Sequence, residues 1–131
     1  MVNAEEFAAL VAHEIGHEFS WDEYWAAMRR ADHDRMQELE LRCDGIAVLT
    51  LRRVGIDPER LVSAVQKLTQ DNRQPGATTS AADYPPLEER IAFIRAMARM
   101  PWVRPRGNTE FLMSHLYISR RDDEHVLGPY D

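Results

Sequence analysis

The chain has 131 residues, 44% of them apolar and 29% charged, and a formal net charge of −6. That length suits one domain with a core of its own, while 15 arginines and Lys67 scattered among an acid excess argue against a nucleic-acid partner. No apolar run approaches the roughly 20 residues that cross a bilayer and no signal-peptide pattern opens the chain, so a soluble, cytoplasmic protein without a membrane segment is expected.

The first expected element runs from Val2 to about Phe19, a helix with Asn3 as N-cap and Glu5 and Glu6 in its first turn, where carboxylates suit the helix dipole. On its wheel Phe7, Val11 and Ile15, with Ala4, Ala8 and Ala12, share one side, and His13 and His17, with Glu6 and Leu10, share the other. The histidines are therefore not expected to fill the core. Ser20 offers a cap for a second helix through Tyr24, Trp25 and Met28, aromatics read as packing.

After Asp32, His33 and Asp34 the pattern becomes strongly apolar from Met36 to Val54, a helix buried nearly all round. Gly55, Asp57 and Pro58 stop it and start another that runs to about Asp71. Residues from Asn72 to Asp83 read as an exposed loop. Pro85 and Pro86 open a helix through Ile91, Ile94 and Met97 that ends near Met100. Trp102 to Gly107 reads as irregular, Glu110 to Ser119 as a short helix in preference to a strand, and Arg120 to Asp131 as a polar tail.

Within the first helix stands His13-Glu14-Ile15-Gly16-His17, the pattern HExxH. Residues four apart on a helix lie one above the other, so both imidazoles can point at one metal ion while the intervening glutamate holds a water. A solvated polar face is the plain alternative, but chance produces the pattern in only about 0.02 of chains of this composition.

Two histidines leave a hydrolytic zinc site incomplete, since three protein ligands and an open position are usual. Glu40 is the preferred third ligand, because a carboxylate on a buried helix needs a positive partner. Asp44, one turn on, can accept the outer N–H of a ligating histidine. An ion pair of Glu40 and Asp44 with Arg42 or Arg35 is the competing account, and His33 and Cys43 are rival ligands. Cys43, the lone cysteine, cannot form an internal disulfide.

HEIGH, then Glu40-Leu41-Arg42-Cys43-Asp44 as ExxxD, then Val54 to Pro58, then Tyr84-Pro85-Pro86-Leu87-Glu88-Glu89-Arg90-Ile91, together resemble the HtpX-like and CAAX-prenyl-protease-like gluzincin zinc peptidases, in a compact form similar to minigluzincins. The resemblance covers residues 2 to about 98. It implies that His13, His17 and Glu40 bind one Zn2+, that Asp44 orients a histidine and that Glu14 is the general base. The family commonly has His-Pro where this chain has Tyr84-Pro85.

The expected architecture is mainly α and zincin-like: the HExxH helix packs against a buried ExxxD helix, followed by two further helices and a C-terminal extension. Residues 1–101 form the helical peptidase-like unit, and 102–131 extend the same domain. The expected function is zinc-dependent endopeptidase action on a polypeptide substrate, with Tyr84 as first choice of oxyanion donor ahead of His115 and Tyr117. An ImmA/IrrE-like regulatory peptidase and a latent, truncated or non-catalytic zinc-binding module are the alternatives. Residues 102–131 either lie over the cleft or cap the core.

Overall fold

The computed structural model describes residues 1–72, 83–100, 116–121 and 124–129. The chain is mainly helical: α1 (Ala4–Glu18), α2 (Trp21–Arg29), α3 (His33–Val54), α4 (Glu59–Asn72) and α5 (Leu87–Arg99) precede two strands, β1 (Leu116–Arg121) and β2 (Glu124–Pro129). No helix among the described residues is long and apolar enough to cross a membrane.

Local chemistry sets the helix ends. At α1 the Asn3 side chain accepts from the Glu6 N–H while the Glu6 carboxylate accepts from the Asn3 N–H, closing a capping box. Asp32 caps α3 through the Arg35 N–H, which makes His33 the first residue of that helix rather than a residue before it. Gly55 ends α3 in the left-handed region at φ 79°, where a side chain would be strained. Ser20 occupies the N-cap of α2, but its hydroxyl makes no capping bond.

The central α3 is buried along one continuous stretch from Leu39 to Val48, as its apolar run requires. Leu41, Ala47, Val48 and Leu51 meet Ala9 and Ala12 of α1, Leu61, Val62 and Val65 of α4, and Phe93, Ile94 and Met97 of α5 in one core. A smaller cluster joins Ala27 of α2 to Met36 and Leu39. Helix α1 lies very close to α3 at Gly16, where an added Cβ would come 2.9 Å from the Cys43 Cα. Glu6 ties α1 to α4 by accepting from Ser63 and Lys67.

Two expectations are corrected. The apolar side of α1 faces out: Phe7 is 61% exposed, Val11 41% and Ile15 46%, whereas Glu6, Ala9, Ala12, His13 and Gly16 are buried. Small residues let α1 approach α3 closely, and His13 finds carboxylate partners there, so close packing and charge pairing outweigh the side-chain apolarity of the other face. Second, 116–119 are strand, not helix, and half of the expected tail, Glu124–Pro129, is its partner. β1 and β2 pair antiparallel from Leu116 opposite Pro129 to Arg121 opposite Glu124, and β1 packs beside α3. The β-branched and aromatic Ile118 and Tyr117 suit this extended backbone. The expected loop at 73–82, the irregular stretch at 102–107 and residues 110–115 of the expected helix lie outside the described residues.

Candidate metal centre

The spacing of four in α1 stacks the imidazoles of His13 and His17, whose ring centres are 5.2 Å apart. The spacing of four in α3 does the same for Glu40 and Asp44, which are 2% and 0% exposed. Where the helices touch, the two pairs meet. His13 Nε2 lies 3.1 Å from Glu40 Oε2, and His17 Nε2 lies 3.4 Å from Glu40 Oε1, so each carboxylate oxygen faces one ring nitrogen. His13 Nδ1 lies 2.8 Å from Asp44 Oδ1.

Burial alone would push the His13 imidazole down, but hydrogen bonds to Asp44 and Glu40 and their charge override it and hold the imidazole up at about 9. Asp44 is moved in the opposite sense: burial would raise it, and the Arg90 guanidinium, together with His13, keeps it below its ordinary value. Arg90 reaches Asp44 by a fork, Nε to Oδ2 at 2.9 Å and Nη2 to Oδ1 at 2.8 Å.

His13, His17 and Cys43 form a cluster that could hold a metal ion, their ligand atoms lying within 4.8 Å of one another. The Cys43 thiol is fully buried and pushed up, first by that burial and then by Glu40 and Asp44. The donor set of two imidazoles, a carboxylate and a thiol is one that zinc accepts. Glu14 is exposed on α1.

His33, a rival ligand on the sequence, is not brought to the cluster; it is half exposed and its Nδ1 pairs with Asp83 at 3.0 Å. The competing account, an ion pair with a surrounding arginine, is met for Asp44, but by Arg90 rather than by Arg35 or Arg42, both of which pair with Glu23. Arg90 was missed. Its signal was its place in the register Leu87, Arg90, Ile94, Met97, where a cation stands in an otherwise core-facing row. Tyr24 was read as packing, and its ring does stand edge-on to His17 at 5.5 Å. Its hydroxyl is pushed up to about 12 by burial and then by Glu40, which places it in the field of the site.

Tyr84, 38% exposed, is raised by burial and by Glu40, with Arg90 opposing and Glu14 adding. It stands in the segment before α5, within the electrostatic influence of Glu40. His115 lies outside the described residues, and Tyr117 stands on β1 opposite Gly128. No protein-family model, no characterised protein and no solved structure matches this chain.

Proposed function

We propose that the chain is a zinc-dependent metalloendopeptidase in which His13, His17 and Glu40 hold one zinc ion. The observation that carries this reading is the Glu40 carboxylate, whose two oxygens each face the Nε2 of one HExxH histidine while Asp44 occupies the other side of His13. The likeness of HEIGH, ExxxD and the Tyr84 to Ile91 segment to gluzincin peptidases supports it independently. A bound zinc would supply Lewis acidity toward the scissile carbonyl and toward a water.

The chain's own groups do the rest. Asp44 fixes the tautomer of His13 by accepting its Nδ1–H, and Arg90 holds Asp44 in place. Glu14, free of a described cation, takes the proton of the attacking water and returns it to the leaving amine. Tyr84 donates its hydroxyl proton in a hydrogen bond to the developing oxyanion.

A second reading has its own observation. Cys43 forms a cluster with His13 and His17, and a thiolate there, added to the Glu40 carboxylate that faces both imidazoles, would close the fourth position that a catalytic zinc keeps open. Metal analysis combined with a peptide-library cleavage assay separates the two. On the peptidase reading, Glu40→Ala loses zinc, Cys43→Ala keeps it, and Glu14→Gln keeps zinc and fold while cleavage falls by about 10²–10⁴. Loss of zinc in Cys43→Ala, with no cleavage by the unsubstituted chain, establishes the closed site instead.

A further inference from the structure

The outward face of α1 joins an apolar row to the proposed general base. At about 100° per residue, Glu14 lies about 60° from His17 on one side and about 60° from Val11 on the other. Phe7, Val11, Glu14 and Glu18 follow one another at spacings of four, three and four, so they form a single outward row with Ile15 beside it. Helix α1 has no lysine or arginine. Glu5 is paired with Arg60, whereas neither Glu14 nor Glu18 has a cationic partner among the described residues. Past Glu18 the row meets a surface depression lined by Phe19, Trp21 and Asp22, where Trp21 is 50% exposed.

We propose that this face is where the polypeptide substrate docks, and that it selects segments in which an apolar part is followed by a cationic part. The inference rests on the peptidase reading, because a chain presenting its scissile bond to Glu14 must cover the neighbouring row. Charge decides the class of occupant. A second copy would set Glu14 and Glu18 against their own equivalents or other acidic groups of the same face, and an anionic lipid surface would meet a face without cations. A segment with apolar side chains for Phe7, Val11 and Ile15 and cations for Glu14 and Glu18 satisfies both halves, with Trp21 offering its ring to a further cation.

The test uses the full chain carrying Glu14→Gln, so that the probe survives, with Glu18 left on the row to meet its cations. A fluorescein-labelled 12-residue peptide with a leucine-rich half and a lysine-rich half is titrated by anisotropy, beside versions with glutamate for lysine and serine for leucine. The leucine-lysine probe binds at least about tenfold tighter than either control. Adding Ile15→Lys weakens it by at least about tenfold while helicity and metal content stay unchanged. Equal binding of the three probes, or an Ile15→Lys variant that binds as before, overturns the assignment. So does a concentration-dependent dimer that Ile15→Lys dissolves while no probe binds. Binding without cleavage by the unsubstituted chain supports the docking face and defeats the peptidase reading. Cleavage of other peptides without binding of this probe defeats the docking face alone.

Discussion

Asp44 is fully buried, accepts two bonds from Arg90 and holds His13 by its Nδ1. A buried anion with a forked guanidinium partner is costly to leave alone, so Arg90→Ala is expected to destabilise the chain by about 3–5 kcal/mol. It also releases the group that orients His13, so zinc affinity falls by about 10–100-fold. Arg90→Lys keeps the charge without the fork and recovers only part of both losses. Chemical denaturation and zinc competition titration measure the two effects. At this scale the pairing of His13 with His17 and of Glu40 with Asp44 was legible because each pair rests on a spacing of four within one helix. Arg90 was not, because its partner is 46 residues away and only the docking of α5 on α3 brings them together.

Helix α1 shows what periodicity conveys and where it stops. It gave the helix and the stacking of the histidines, and Asn3 gave the cap, but the more apolar face is not the buried one. The reason is the close approach at Gly16, which rewards small residues and the His13 contacts with α3. Gly16→Ala would set a Cβ against the Cys43 backbone and force the helices apart, an overpacking expected to cost about 1–3 kcal/mol. Because His13 and His17 flank that contact, zinc affinity should fall with the melting temperature. An Ala variant as stable as the parent, with undiminished zinc binding, would show that α1 can shift freely.

The opposite end of α1 provides a pH test. Glu6 is held at about 2, below its ordinary 4.5, by hydrogen bonds from Lys67, Ser63 and the Asn3 N–H, in that order. A depressed carboxylate contributes stability that is fully present above its unfolded value and lost as pH falls through its folded value. The contribution should therefore be complete above about pH 5 and disappear progressively toward pH 2. Melting temperatures of the parent and Glu6→Gln, measured across that window, should differ at neutral pH and converge as the acid is approached. A constant gap would mean that Glu6 acts through shape alone.

At the scale of the molecule, five helices follow from apolar periodicity, caps and glycine or proline stops, which are local signals. The β1–β2 hairpin does not, because Leu116–Arg121 acquires its hydrogen-bond partners from Glu124–Pro129 and its neighbour from α3. A short apolar run carries no record of which partner it will find. All proposed ligands, and Asp44 and Arg90 with them, precede Met100, whereas the hairpin follows it and rests beside the helix that holds Glu40. A variant ending at Met100 is therefore expected to keep its zinc stoichiometry but lose the cover of α3, with a melting temperature lower by about 4–8 °C for each kcal/mol removed. Calorimetry with metal analysis reads both quantities. Were the shortened chain equally stable and faster in cleaving peptides, the C-terminal residues would be covering the cleft rather than the core.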